Sequence, residues 1–240
     1  MFYIVAADVK ALYPSLCKDT VTKALECALK KHSNFNTNAQ KIIVKLNEIL
    51  PKQCCHPIWR PVIYHQKNGF VTGDNHSVSL ANIVVHYILQ PIAGMLREAA
   101  LFRRFIVDII WIVTSKLPNE NIWQALTSAF ANSGLELTFR QACTADQKDE
   151  VEFLDVNHCI TTDDVFGFVT KDFVKQTAEG RQFINGKSHQ PQSTFKSILF
   201  GEAIRLRRLN QRKEDYLCSL NRLKKKQFAQ TSLWTWLMTW

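Results

Sequence analysis

Apolar positions fall into two kinds of run along this chain, and each kind predicts a different element. Phe2-Tyr3-Ile4-Val5-Ala6-Ala7 is uninterrupted and β-rich in its first half, so it reads as a buried strand ended by Asp8. Residues 20–31 place Val21, Ala24, Leu25, Ala28 and Leu29 on one helical face, with Asp19 or Thr20 able to cap it. Residues 38–50 repeat that period with Ile42, Ile43, Leu46 and Ile49, and Pro51 stops it. Residues 51–63 hold three prolines and no period, which predicts a loop. Tyr64-His65-Gln66 and Phe70-Val71 flank Lys67-Asn68-Gly69 and predict a hairpin. From His76 an apolar helix runs through Val78, Ala81, Ile83, Val84, Tyr87 and Ile88 toward Arg97, with Asp74 or Asn75 as its cap.

The second half alternates more quickly. Residues 102–113 read as strand, tight turn, strand. Residues 121–132 form a helix with Ile122, Ala125, Leu126, Ala129 and Phe130 inward, stopped near Gly134. Strands are predicted at 136–140, 151–156 and 166–170. Beyond Ser193 the period is helical again, through Ile198, Leu199, Ala203, Leu206 and Leu209, then Tyr216, Leu217, Leu220 and Leu223. This order predicts an α+β fold, with helices on one face of a mostly antiparallel sheet.

Charge changes the picture. The 240 residues carry a formal net charge of +9. Residues 181–226 alone hold twelve Lys or Arg against three acids, while the remainder balances at eighteen of each sign. One localised basic surface points to a polyanionic partner, nucleic acid first. A solvated basic face is the plainer alternative. The seven cysteines show no CxxC spacing, so reduced, mostly buried thiols in an intracellular protein, nuclear or cytoplasmic, are expected. No run approaches the roughly 18 apolar residues of a membrane span, and no membrane partner is expected.

Two features carry candidate chemistry. Asp8 ends the first strand, and Asp108 lies in Phe105-Ile106-Val107-Asp108-Ile109-Ile110-Trp111-Ile112. Two carboxylates at strand ends can share a divalent cation for phosphoryl transfer if their strands are neighbours. On spacing alone, a turn cap and a solvated turn residue account for them better. Thr72-Gly73-Asp74-Asn75-His76-Ser77 is a small polar turn opening a helix, where a phosphate or base pair can approach. An ordinary helix cap is the simpler account of that turn.

Together these segments resemble reverse transcriptases. Asp8-Val9-Lys10-Ala11-Leu12-Tyr13-Pro14-Ser15 resembles the first palm motif, residues 72–82 the second, and Arg104-Phe105-Ile106-Val107-Asp108 the third. Phe153-Leu154-Asp155-Val156 resembles the primer-grip hairpin. The stretch 168–209 is similar to the region after the palm in Penelope-like retroelements. The resemblance implies a palm over 1–165, a connector and basic thumb-like helical segment over 166–226, and an aberrant Trp-rich tail over 227–240. It implies template-directed DNA synthesis on an RNA/DNA primer–template from dNTPs, with Mg²⁺ or Mn²⁺ held by Asp8, the Val9 carbonyl and Asp108.

Tyr13, Thr72, Gly73 and Asn75 would line the nucleotide site, and Lys196, Arg205, Arg207, Arg208, Arg212 and Lys213 would track the nucleic-acid backbone. Val107 stands where the family carries its principal metal-ligand Asp, so metal binding should be weakened and catalysis severely reduced. The fingers that precede the first motif in the family are missing, which suggests a truncated copy. A non-catalytic nucleic-acid-binding remnant is the alternative, and a translated relic that does not fold stably is a third.

Overall fold

The sheet at the centre of the first unit is built from the runs that read as strands. The computed structural model describes residues 2–31, 34–49, 54–55, 64–65, 69–70, 76–114, 119–143, 150–161, 167–174 and 189–228. They divide into two compact units, Met1–Arg140 and Gln141–Trp240.

In the first unit, β1 (Phe2–Val9) leads into a short α1 (Leu12–Ser15), then α2 (Lys18–Lys31) and α3 (Thr37–Ile49). A two-residue pair follows, β2 (Cys54–Cys55) with β3 (Tyr64–His65). Next come α4 (Ser77–Leu89), a 3₁₀ turn (Gln90–Ile92) and α5 (Ala93–Leu96). The hairpin β4 (Leu101–Phe105) and β5 (Asp108–Thr114), α6 (Asn119–Ala131) and β6 (Leu137–Cys143) complete it. The strand order is β4-β5-β1-β6, with β1 and β4 both antiparallel to β5.

Alternation along the strands sorts the side chains. Val5, Ala7 and Val9 of β1 and Ile109, Trp111 and Val113 of β5 join the core built with α2, α4 and α6. Ile4, Ala6, Ile110 and Ile112 take the opposite face and are buried too. Burial on both faces explains why these strands read as continuous apolar runs. Phe139 of β6 stacks on Trp123 of α6, ring centroids 4.1 Å apart, and meets Trp111 edge-on at 6.1 Å. Such geometry adds about 0.5–1.5 kcal/mol per pair beyond the buried area.

In the second unit, β7 (Glu150–Phe153), β8 (Val156–Ile160) and β9 (Phe168–Asp172) form an antiparallel sheet in that order. Helices α7 (Gln192–Leu209) and α8 (Lys213–Phe228) follow. The bend between them is fastened to β9. The buried Asn210 accepts from the Asp172 amide at 3.1 Å and donates to the Leu206 carbonyl at 2.8 Å. The Gln211 amide donates to the Thr170 carbonyl at 2.9 Å. The buried Asp172 carboxylate accepts from Ser219 and pairs with Arg222, both on α8.

Several expectations are corrected. The strand that the apolar pattern predicts at 151–156 is a hairpin, as the resemblance of 153–156 implied, because Leu154 adopts a left-handed φ of 56° and the chain reverses after Phe153. Tyr64–His65 pairs with Cys54–Cys55, inside the stretch expected to be loop. Of the hairpin expected across Gly69, Gln66, Lys67, Asn68 and Val71 lie outside the described residues, and Phe70 donates its amide to the Tyr13 carbonyl at 2.8 Å. Cys17 and Cys218 are exposed and Cys27 and Cys159 half-buried, so these four thiols are not the buried set expected. The helical run Ser77–Leu96 is long and apolar enough to cross a membrane by length and composition, contrary to the sequence reading. Its apolar character has a simpler source, since Leu80, Ala81, Val84, Val85, Ile88 and Leu89 lie in the core.

Candidate functional site

Asp8 and Asp108 are brought to one corner of the first sheet. The paired positions of β1 and β5 run to Ala7 opposite Ile109, and one further step of the same register aligns Asp8 with Asp108. By alternation both acids fall on the face of Ile4, Ala6, Ile110 and Ile112, away from the helices. Asp8 is exposed and Asp108 half-buried. Strand β6 holds the end of β1 in place. Thr138 Oγ1 donates to the Asp8 carbonyl at 3.3 Å, and the Lys10 amide donates to the Glu136 carbonyl at 2.9 Å.

Asp108 sits just past a two-residue loop, Ile106-Val107, closed by the Phe105–Asp108 pair. Ile106 has φ 55°, a left-handed conformation that costs a β-branched residue about 1–2 kcal/mol. Arg104 holds that loop. Its Nη1 donates to the Ile106 carbonyl at 2.7 Å and to Asn82 Oδ1 of α4 at 2.8 Å. Burial lowers the Arg104 pKa from the usual guanidinium value. Val107 packs against the helix-side core, where Val9 also lies. It adds no oxygen donor to the face of the two acids.

The segment after Asp8 turns at once. Ala11 adopts φ 48°, and α1 then carries Tyr13, half-buried against the core. Gly69, at φ 75°, lies flat on this turn. A Cβ there would stand 2.5 Å from Pro14 Cα and 2.6 Å from the Tyr13 carbonyl oxygen. Phe70 is buried behind it and meets the His76 ring edge-on at 6.2 Å. Thr72, Gly73 and Asn75 lie outside the described residues. Among the described residues no group of three His, Cys, Asp or Glu side chains could hold a metal. Two carboxylates are the kind of donor a hard cation takes, and alone they fall short of the set that two fully liganded ions need.

The basic residues of the second unit separate into classes. Arg205 is engaged with protein acids: Glu202 at 2.7 Å, which raises its pKa, and Asp155 at 3.5 Å. Arg212 donates to Thr161 Oγ1 at 3.3 Å. Lys196, Arg207, Arg208 and Lys213 are exposed, with the Arg207 guanidinium 6.0 Å from the Tyr216 ring centroid. Sequence reasoning gave no role to Arg104 or Asn82. The available signal was an arginine pair, Arg103-Arg104, between apolar residues just before the turn.

No protein-family model matches the chain, and no curated protein matches it in sequence. Solved structures do. Telomerase from Candida albicans in complex with a TWJ fragment of telomeric RNA superposes with TM-score 0.64 at 14% identity, over 95% of this chain and 39% of that one. Telomerase from Candida tropicalis with the same kind of fragment gives 0.55 at 14%, over 95% and 38%. The apo Candida tropicalis enzyme truncated from its C-terminal domain gives 0.53 at 15%, over 72% and 35%. This chain thus spans under two fifths of the telomerase chains it matches. The fold is α+β, and over the shared part it is like that of these telomerase chains.

Proposed function

We propose that the chain is a fragment of a reverse transcriptase domain from a Penelope-like retroelement, binding an RNA/DNA primer–template, with nucleotidyl transfer impaired in this copy. The alignment of Asp8 with Asp108 at one corner of a polymerase-like sheet, where Asp8 is exposed, carries the reading. The ancestral reaction is attack of a primer 3′-hydroxyl on a dNTP α-phosphorus with release of pyrophosphate. Asp8, Asp108 and the Val9 carbonyl would hold Mg²⁺ or Mn²⁺. When bound, the cation would neutralise charge developing on the transferring phosphate, which is worth several kcal/mol. Tyr13 would bound the sugar side of the nucleotide site, together with Thr72, Gly73 and Asn75. Lys196, Arg207, Arg208 and Lys213 would contact phosphates, with Arg205 and Arg212 in supporting places. An intracellular location, nuclear or cytoplasmic, suits such a partner.

The packing of Val107 into the core favours a second reading, a nucleic-acid-binding remnant without catalysis. Primer extension separates the two. The purified chain should retain an RNA/DNA hybrid with affinity that falls steeply as salt rises. Its extension with Mg²⁺ or Mn²⁺ should lie on the order of a hundredfold or more below that of Val107→Asp. Extension undetectable in both supports the remnant. Salt-independent retention overturns both readings.

A further inference from the structure

The outer edge of the first sheet carries a second binding feature. A cavity of about 480 Å³ lies between β4 and the α4–α5 run. Leu101, Phe102, Arg103 and Arg104 of β4 all line it. Consecutive strand residues point to alternate faces, and a cavity bordered by both kinds reaches the strand's backbone edge. Among the described residues β4 has a paired neighbour on one side alone, β5. An open edge of this kind is a template for another strand.

The lining has a chemical bias. Leu89, Leu96 and Phe102 supply apolar surface, and Arg97, Arg103 and Arg104 supply guanidinium groups. His86 also lines it, and no carboxylate does. Arg97 and Arg103 are exposed. Arg103 Nη1 donates to the neighbouring Phe102 carbonyl at 2.9 Å, a neutral acceptor that a carboxylate would replace with a stronger, charge-assisted one.

We propose that this edge binds an extended peptide of alternating apolar and acidic residues, added as a strand beside β4. Its apolar side chains enter the cavity and its carboxylates meet Arg97 and Arg103. A strand fits better than a compact phosphate. Arg104 is committed to Asn82 and the Ile106 carbonyl, so the three guanidinium groups do not converge on one point. Arg97 follows the end of α5 and Arg103 lies within β4, so the two uncommitted groups come from different elements. The inference is independent of the polymerase reading.

The test is fluorescence anisotropy of the full chain with a labelled eight-residue peptide alternating Val and Glu. Binding is expected, with a Val–Lys peptide on the order of tenfold weaker or worse. Arg97→Glu with Arg103→Glu should lower affinity to a similar degree while the melting transition is kept, because both side chains are exposed. N-methylation of alternate amides in the peptide, in either register, should weaken binding in one register only. Absence of binding, indifference to the two charge reversals, or indifference to N-methylation in both registers would overturn the proposal. So would a hexathymidylate that binds more tightly than the peptide and loses affinity with the same reversals.

Discussion

Arg104 donates to Asn82 across the gap between the β4–β5 hairpin and α4, at 2.8 Å. The same nitrogen serves the carbonyl of Ile106, whose backbone is left-handed. One guanidinium therefore couples a helix to the turn that precedes Asp108. Replacing Arg104 with Met strands both acceptors and should cost about 2–3 kcal/mol. Asn82→Ala should cost about 1 kcal/mol, and the double variant less than the sum. Urea unfolding of the four proteins reads this directly. Strict additivity would mean the contact contributes nothing.

Gly69 is the second expected point of sensitivity. Ala there meets backbone atoms of Pro14 and Tyr13 that cannot swing aside, on a residue already at positive φ. The expected loss is about 2 kcal/mol or more. Gly94, with nothing near its missing Cβ and a place in α5, is the control. Gly94→Ala should gain about 0.5–1 kcal/mol. Equal melting temperatures for the two variants would contradict this contrast.

Much of this architecture was legible because burial leaves a periodic trace. The buried faces of α2, α4 and α6 and the run from Ile109 to Val113 follow from their apolar spacing. The partnership of Asp8 with Asp108 did not follow from spacing. It depends on which strands are neighbours, and only motif order hinted at that. The hairpin at Leu154-Asp155 left no trace in the apolar pattern, because no Gly or Asn marks its left-handed residue, and the resemblance of 153–156 alone implied it. Gly69 was legible as a turn glycine, yet its tight contact with Pro14 is a tertiary fact. The pairing of Arg205 with Glu202 and Asp155 likewise separates it from the exposed cations only in three dimensions.

Asn210 is almost wholly buried and uses both ends of its amide. Asn210→Ala leaves the Asp172 amide without its acceptor and should cost about 2–3 kcal/mol. Hydrogen exchange at Asp172 should accelerate in parallel. An unchanged exchange rate would refute the role given to this side chain.

The Glu150–Lys171 pair gives a pH signature. The two lie 2.8 Å apart. The hydrogen bond from Lys171 holds the Glu150 carboxyl below its usual range, and the same bond raises Lys171. The Glu150 contribution is present above the ordinary carboxylate range and is lost as pH falls through its lowered value. The Lys171 contribution is present below the ordinary lysine range and is lost as pH rises through its raised value. Both side chains are substantially exposed, so Glu150→Gln should cost only about 0.5 kcal/mol at pH 7. That difference should vanish below the carboxylate range. A variant equally destabilised in strong acid would assign the loss to packing.

Because the bend at Asn210 is clamped to β9, α7 and α8 form a stiff fork whose tines keep one angle. Exposed cations on both tines hold a set separation, as teeth do on a comb. In helices fastened this way, the fold alone sets how far apart the surface charges stand.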